Sequence, residues 1–402
     1  MISIEEAQKE ILSQISLLDT EKVQIFHGLD RVTPEDHIAP WDIPPADNSA
    51  MDGYAFRADG FAADRLKVIG FVPAGDVFSE TIGSGHAVKI MTGAPIPADC
   101  DTVVPIEDVK VDGELIRIKE AIKPGSHVRK RGEDIQQGDV IIPSGTLLRP
   151  QEIGMLSAMG KTSISVYRRA RVAILSTGDE LLEPGSTPLP GKIINSNSYS
   201  LAAQVLDAGG EPVMLGIASD TLEDTREKIR IGLNSDFLVI SGGVSVGDRD
   251  FVKSAIESLG GNVVFWKVNM KPGKPLAFAQ LNGKPIFALP GNPVAAMVSF
   301  ELFVRPAILK AVGHRRVLRP RVMAHLKEAV KNKGNRPHLV RGLVTHEGSH
   351  YAVSTTGDQS FGRLSSLTQG NGLLRLAPET AYALGESVEV TLLDRSFEQM
   401  KV

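Results

Sequence analysis

Residues 237–250, FLVISGGVSVGDRD, indicate an α/β fold with a ligand site at the edge of its sheet. The first four residues, Phe237 to Ile240, have the unbroken apolar character of a buried strand. Small residues then form a loop that closes on two aspartates. Such loops let backbone N–H groups approach an anion, and carboxylates are ligands that Mg²⁺ prefers. The stretch suggests a metal-assisted site for a phosphorylated small substrate, although many glycine-rich loops are simple turns.

Strands and helices alternate on both sides of this loop, from residue 170 to residue 312. Strands are predicted at 171–175, 212–217, 237–240, 262–268, 276–280 and 285–289, and helices at 197–208, 221–233, 250–259 and 293–311. This order favours a mostly parallel sheet with helices on both faces, whose ligands bind at the carboxyl ends of the strands. Five polar or tight-turn segments fall at those ends: 176–180, 219–220, 241–250, 271–274 and 290–293.

These segments offer three kinds of chemistry. Four carboxylates could hold one Mg²⁺ ion: Asp179, Glu180, Asp220 and Asp250. For Asp179 or Asp220 alone, a helix N-cap is the alternative role. The stiff turn 271–275 carries two ammonium groups suited to an oxyanion, unless it is only a solvated turn. Segment 290–293 leads into a helix whose first N–H groups favour an anion. The alternative is that this segment is only a structural turn before the helix.

The rest of the chain differs from the α/β segment in the spacing of its apolar and turn residues. Residues 60–148 alternate short apolar runs with Gly, Pro and Asp, a β-rich pattern, and residues 319–402 are typical of a small β-barrel or sandwich. Residues 3–18 and 150–159 have helical patterns, the first with a Ser3–Glu6 capping box.

Composition narrows the expected class of protein. The net charge of −4 disfavours a nucleic-acid partner, and a single cysteine excludes an intrachain disulfide. The chain has neither a basic-then-apolar leader nor a run of 18 apolar residues. We therefore expect a soluble cytoplasmic protein without a membrane or nucleic-acid partner.

Three further clusters precede the α/β segment, and each alone is more typical of a surface loop than of a site. They are NSAMDGYA at 48–55 around Asp52, MTGAPIP at 91–97 around Thr92, and RKRGED at 129–134 ending in Asp134.

Seven ordered motifs resemble the molybdenum insertases, the molybdopterin molybdotransferase family that includes the gephyrin E domain. They are NSAMDGYA, MTGAPIP followed by DTVVPIE, RGEDI, STGDEL, SGGVSVGDRD, KPGKP and LPGNPV, and the resemblance runs from about residue 5 to the C-terminus. It implies an elongated subunit of multidomain α/β plus β class. Its parts would be a helical linking domain (1–22 and 140–168), a β-rich domain (23–139), an α/β molybdopterin-binding domain (169–316) and a C-terminal β-barrel (317–402).

The resemblance also implies a reaction and an assembly. Adenylated molybdopterin and molybdate would be consumed with Mg²⁺, yielding molybdenum cofactor and AMP. The protein would be a homodimer, each site combining the α/β domain of one subunit with the β-rich domain of the other. Molybdopterin adenylyltransferase and molybdoenzymes or their chaperones are possible further partners.

Site residues follow by motif from the same resemblance. The catalytic set is Asp52, Thr92, Asp134, Glu180, Asp220 and Asp250, the first three supplied by the partner subunit. The metal ligands are Asp179, Glu180, Asp220 and Asp250. The substrate-binding set is Thr177, Gly178, Ser241, Gly242, Gly243, Ser245, Asp248, Lys271, Gly273, Lys274, Pro290, Gly291, Asn292, Pro293, Arg341, Ser365 and Ser366. Within that set, the oxyanion would be bound by Lys271, Lys274, Arg341 and Ser365 or Ser366.

One departure and two other functions accompany this interpretation. Many relatives have Ser after PGNPV, where this chain has Ala295, so a hydroxyl contact is missing there. A molybdopterin adenylyltransferase shares the α/β domain but lacks the MDGYA and MTGAP regions. A non-enzymatic scaffold, as gephyrin is at synapses, would predict additional domains or linkers.

Overall fold

The computed structural model describes residues 1–58, 65–244, 251–360 and 362–393. Contacts divide the chain into two units, the first comprising Met1–Pro34, Gly145–Leu148 and Ile164–Val402, the second Glu35–Ser144 and Arg149–Ser163. The four-part boundaries expected from the sequence are not tested by this division and stay a prediction. Among the described residues, no helix is long and apolar enough to cross a membrane.

Helix α1 (Ile4–Ser13) begins with the predicted capping box. The Glu6 backbone N–H donates to the Ser3 hydroxyl at 3.1 Å, and the Ser3 N–H donates to the Glu6 carboxylate at 2.8 Å. The helix therefore starts with two of its first N–H groups satisfied. Its residues Ile4, Ala7 and Ile11 are three or four positions apart and join the core of the first unit. Strand β1 (Thr20–Gln24) follows.

The second unit is built from short strands, as the frequent turn residues predict. These strands are β2 (His37–Ile38), β3 (Asn48–Ser49), β4 (Gly53–Phe56), β5 (Arg65–Val72), β6 (His86–Ile90), β7 (Thr102–Pro105), β8 (Val109–Asp112), β9 (Leu115–Ile118), β10 (Val128–Arg129) and β11 (Val140–Ile142). Six of them form a mixed sheet in the order β7-β4-β6-β5-β9-β8. Helix α2 (Pro150–Ala158) packs Met155 beside Ala39 and Ile135 of the same unit.

Strand β12 (Ser163–Tyr167) pairs with β1 and leads into the predicted α/β segment. The elements of that segment are β13 (Arg171–Thr177), β14 (Leu181–Leu182), β15 (Ile193–Ile194), α3 (Asn197–Asp207), β16 (Glu211–Ala218), α4 (Leu222–Gly232), β17 (Phe237–Ser241), α5 (Phe251–Ser258), β18 (Asn262–Lys267), β19 (Pro275–Leu281), β20 (Lys284–Leu289), α6 (Pro293–Ser299) and α7 (Arg305–Ala311). The prediction of alternating strands and helices is confirmed.

The sheet of this segment has the order β16-β13-β17-β20-β19-β18. The first four strands are parallel, whereas β19 is antiparallel to both of its neighbours. Because two reversals restore the direction, β18 runs the same way as β20. The carboxyl ends of β13, β16, β17, β18 and β20 therefore lie at one edge, which places four of the predicted polar segments and the described part of the fifth, residues 241–244, there.

Strand β17 shows why this sheet is covered on both faces. Phe237 and Val239 belong to the core cluster that includes residues of α1, α3, α6 and α7. Leu238 and Ile240 point to the other cluster, which includes residues of α4 and α5. Since side chains alternate along a strand, a continuous apolar run packs against the helices on both faces of the sheet.

The predicted helix 293–311 contains a π-helical turn, Phe300–Val304, between α6 and α7. Pro306 follows this turn and has no N–H to give to the Leu302 carbonyl. The side-chain amide of Gln8, which is buried, donates to that carbonyl at 3.0 Å. An amide from α1 thus satisfies a backbone oxygen in the irregular part of the helix.

The C-terminal segment forms a closed five-stranded barrel in the order β21-β24-β23-β25-β27, which decides between the predicted barrel and sandwich. Its interior contains Val340, Val344, Leu374 and Val390. The elements are β21 (Arg321–Leu326), β22 (Val330–Asn332), β23 (His338–Glu347), β24 (His350–Thr355), α8 (Ser365–Thr368), β25 (Gly372–Leu376), β26 (Thr380–Tyr382) and β27 (Ser387–Leu392).

Candidate functional site

A cavity of about 480 Å³, called here the large cavity, opens at the predicted edge of the sheet. The ends of β13, β17 and β20, with the loops that follow them, supply most of its lining, and residues 193–197 supply much of the rest. Of the predicted site residues, its lining includes Thr177, Gly178, Glu180, Asp220, Ser241, Gly242, Gly243, Pro290, Gly291, Asn292 and Pro293. Ser245, Asp248 and Asp250 lie outside the described residues, so their predicted roles stay predictions.

Two glycines make the close packing of these loops possible. Gly242 has a φ of +96°, and a Cβ on it would lie 2.7 Å from the Thr177 carbonyl oxygen. Gly243 has a φ of +66°, and its Cβ would lie 2.5 Å from a methyl group of Val252. Both the conformation and the space therefore require glycine, and the loop after β17 keeps its backbone open to a ligand.

Asn197, at the start of α3, ties two of the cavity loops together and was missed by the sequence analysis. Its side-chain amide donates to the Ser241 hydroxyl at 2.8 Å and to the Gly291 carbonyl at 2.7 Å. Since a carbonyl can only accept, the second bond fixes the orientation of the amide. The signal in the sequence is the polar run Asn195 to Ser198 at the beginning of a helix, which would ordinarily be interpreted as capping.

The acidic end of the edge lies beside β13 and β16. The Asp220 N–H donates to the Asp179 carboxylate at 3.1 Å, and the Asp179 N–H donates to the Asp220 carboxylate at 3.4 Å. Asp220 is not a cap, because Thr221 is the N-cap of α4. Within the described ranges, no three His, Cys, Asp or Glu side chains are grouped closely enough to hold a metal. The four-carboxylate metal site stays a prediction.

The cationic end of the edge lies between β18 and β19. A second cavity of about 150 Å³, called here the small cavity, is lined by Lys271, Gly273 and Lys274 among others. Its lining shares Pro275, Pro290 and Asn292 with the large cavity. The two cavities are therefore neighbours along one edge.

Arg341 and Ser366 contact each other but line neither cavity. Arg341 is fully buried, and its Nε donates to the Ser366 hydroxyl at 3.0 Å while Nη2 donates to the Ser360 carbonyl at 3.2 Å. Burial lowers the pKa of the Arg341 guanidinium. Ser365 is exposed. An oxyanion-binding role for these three residues stays a prediction.

In the second unit, Asp52 and Thr92 contact each other, and their predicted catalytic roles stay predictions. The backbone N–H and the hydroxyl of Thr92 each donate to Asp52 Oδ1 at 2.7 Å. These two hydrogen bonds lower the pKa of the Asp52 carboxyl, which is therefore ionised at neutral pH. Asp134 is exposed, and its N–H donates to the Ile43 carbonyl at 3.1 Å.

Comparison with known families covers nearly the whole chain. Residues 2–160 match the MoeA N-terminal region (domain I and II), residues 173–310 the probable molybdopterin binding domain, and residues 323–393 the MoeA C-terminal region (domain IV). The chain is 34% identical to molybdopterin molybdenumtransferase 2 of Mycobacterium tuberculosis, over 98% of this chain and 100% of that protein. The chain belongs to the molybdopterin molybdenumtransferase family.

Further members support this assignment. Molybdopterin molybdenumtransferase of Haemophilus influenzae is 35% identical over 97% of this chain and 98% of its own length. The crystal structure of a molybdopterin biosynthesis MoeA protein from Pyrococcus horikosii superposes with a TM-score of 0.84 at 34% identity, covering 98% of this chain and 99% of that one. The predicted family and fold class are confirmed.

The predicted site residues are divided among the three matched family regions. All five polar segments of the sheet edge fall within the molybdopterin-binding region. Asp52, Thr92 and Asp134 fall in the N-terminal region, whereas Arg341 and Ser366 fall in the C-terminal region. The linings of the two cavities therefore come mainly from the region that matches the probable molybdopterin binding domain.

Proposed function

We propose that this protein inserts molybdenum from molybdate into adenylated molybdopterin, with Mg²⁺-dependent release of AMP. Membership of the family makes it a transferase of molybdenum cofactor biosynthesis, and the proposal adds the two substrates and the course of the reaction. The observation that carries the proposal is the sheet edge on which two adjoining cavities lie between acidic and cationic side chains.

The charges along this edge suit two anionic substrates that repel each other. The acidic loops follow β13 and β16, and the lysine loop lies between β18 and β19. Three strand spacings separate β13 from β19, about 14 Å at roughly 4.8 Å per spacing. The pyrophosphate of an extended substrate would thus be bound with its metal ion at the acidic end of the edge. The molybdate dianion would be bound at the cationic end.

The acidic end would supply the ligands of the proposed magnesium ion, together with Asp250, which lies outside the described residues. Asp179, Glu180 and Asp220 offer only oxygen donors, the kind of ligand that Mg²⁺ takes. In Asp179 and Asp220, one carboxylate oxygen accepts the backbone N–H of the other residue, which holds the two carboxylates side by side. When bound, the ion would neutralise charge on the pyrophosphate as AMP leaves.

The remaining contribution of the protein is positioning. Asn197 joins the loops after β17 and β20, and the glycines between them let the backbone approach the substrate. No thiolate is needed from the protein, because the dithiolene sulfurs belong to molybdopterin. The one cysteine, Cys100, is consistent with this, because burial raises the pKa of its thiol to about 12 and keeps it protonated at neutral pH.

The proposal includes the assembly and the cellular setting expected from the resemblance. Two subunits would share each site, with Asp52, Thr92 and Asp134 supplied by the partner of the subunit that binds molybdopterin. The protein would act in the cytoplasm, receive its substrate from a molybdopterin adenylyltransferase, and pass the product to molybdoenzymes or their chaperones.

The test is release of AMP from adenylated molybdopterin, measured with and without molybdate and with and without Mg²⁺. We expect release only when both are present. Consumption of ATP without dependence on molybdate would indicate an adenylyltransferase instead. Absence of turnover in every condition, from a folded protein, would favour a scaffold.

A further inference from the structure

The small cavity has the chemistry of an anion site. Three cations line it, Lys271, Lys274 and Arg336, and within the described part of the chain its lining contains no carboxylate. A volume of about 150 Å³ is equivalent to a few water molecules at about 30 Å³ each, which suits a compact oxyanion better than a nucleotide. An anion bound there would lie next to the occupant of the large cavity.

Arg336 comes from the C-terminal barrel, and its backbone is fixed from two directions. The buried Asn332 donates its side-chain amide to the Arg336 carbonyl at 2.8 Å and to the Ala377 carbonyl at 2.9 Å. The next residue, Pro337, accepts the Lys271 N–H at 2.9 Å. The barrel therefore holds Arg336 directly beside the loop that carries both lysines, and little backbone ordering is left for a ligand to impose.

The guanidinium of Arg336 differs from others in this part of the protein. Arg319 is paired with Glu301 and Asp207, and Arg375 with Glu5. Among the described residues, Arg336 has no carboxylate within ion-pairing distance and is half-buried at the cavity wall. A planar guanidinium presents paired donors that match an oxyanion better than an ammonium does.

We propose that Arg336 is a third cationic residue of the oxyanion site and contacts the molybdate directly. The inference rests on the proposed function. It assigns to the barrel a substrate-binding residue that faces the cavity, distinct from Arg341, which is enclosed by Ser366 and Ser360.

The test compares Arg336→Ala with Lys333→Ala, which removes the same charge from an exposed position on the same loop. Binding of molybdate and of adenylated molybdopterin is titrated separately, and half-saturating molybdate is measured in the AMP-release assay. We expect Arg336→Ala to weaken molybdate binding about tenfold or more while the pterin affinity changes little. Lys333→Ala should resemble the wild type, and Arg336→Lys should recover part of the loss.

Three results would overturn the inference. They are an unchanged molybdate affinity in Arg336→Ala, equal losses for both ligands, and a loss reproduced by Lys333→Ala. A thermal melt shows whether Arg336→Ala is folded, and Arg336→Lys carries the test if it is not. Release of AMP by the wild type without molybdate would overturn the proposed function. The three results above would overturn only the role of Arg336, so the two failures are distinguishable.

Discussion

The two ends of the sheet edge hold their charges in different ways. At the acidic end, Asp179 and Asp220 bind each other's backbone N–H groups and follow neighbouring parallel strands of one domain. At the cationic end, the Lys271 backbone is bound by Pro337 and Leu339 of the barrel, at 2.9 and 2.7 Å. The bonds that hold Asp179 and Asp220 thus lie within the α/β segment, whereas the cationic end depends on contacts with a second domain.

The largest expected effect lies at the acidic end. Glu180→Ala should reduce AMP release by about two orders of magnitude or more, because a ligand of the proposed metal ion is lost. Folding should be nearly normal, since Glu180 is an exposed loop residue. The matched control is Glu183→Ala, three residues further along the same segment and also exposed. A Glu180→Ala protein that turns over at the wild-type rate in Mg²⁺ would remove this residue from the site.

A mixture of two inactive proteins tests whether the acidic end works with a second subunit. If sites are shared, Asp52→Ala mixed equally with Glu180→Ala should recover about one quarter of the wild-type activity. Random exchange makes about half of the dimers mixed, each with one intact and one doubly damaged site. The measurement is AMP release after exchange, with tagged subunits proving that mixed dimers form. No recovery despite exchange would place all these residues within one chain.

The cationic end should give a smaller and more selective effect. Lys271→Ala should weaken molybdate use about tenfold and the binding of adenylated molybdopterin much less, because a point charge on a fixed loop acts mainly on a compact anion. Separate titrations of the two ligands measure the difference. Equal losses would mean that Lys271 serves the phosphate of the pterin, and the contrast between the two ends would disappear.

The smallest effect on activity at neutral pH is expected from His338, although it controls acid stability. Burial, with Lys271 and Arg341 nearby, lowers the pKa of His338 to about 4. The unfolded chain takes up this proton near pH 6.5 but the folded chain only near pH 4. Stability from this group is therefore complete above pH 6.5 and falls as the pH drops toward 4, by about 3 kcal/mol in all.

Denaturant unfolding between pH 7 and pH 4 checks this expectation. His338→Gln should flatten the dependence of the unfolding free energy on pH, whatever its effect on stability at pH 7. The exposed His27 provides a matched substitution, His27→Gln, as the control. An unchanged slope in His338→Gln would mean that the cationic end does not keep this imidazole neutral.

The acidic end and the glycine loops could be predicted from sequence because of a geometric rule. Segments that follow parallel strands must meet at one edge, so Asp179, Asp220 and Gly242 could be placed together without knowing any side-chain contact. The strand direction of β18 brought the lysine loop to the same edge. From the pattern of the residues the C-terminal segment was either a barrel or a sandwich, since short strands alone do not show whether a sheet closes, and only the family resemblance implied a barrel.

The residues that the sequence analysis missed depend on contacts between distant elements. Asn197 has the sequence appearance of a helix start, and only its bonds to Ser241 and Gly291 reveal its role. Arg336 approaches the lysine loop because Pro337 binds Lys271 across a separation that no local pattern records. Arg341 was predicted as a ligand from its motif, and nothing in that motif indicated that its guanidinium is fully buried against Ser366.

The bond between Gln8 and Leu302 has a consequence for the order in which the chain folds. These residues are 294 positions apart, and the amide and the carbonyl satisfy each other only once both have left the ribosome. Helix α1 is made first but must wait for its partner until most of the chain has been synthesised. Meanwhile, the second unit, Glu35–Ser144 and Arg149–Ser163, can make most of its own contacts. The second unit should therefore fold first, and helix α1 at the N-terminus should be among the last elements to be fixed in place.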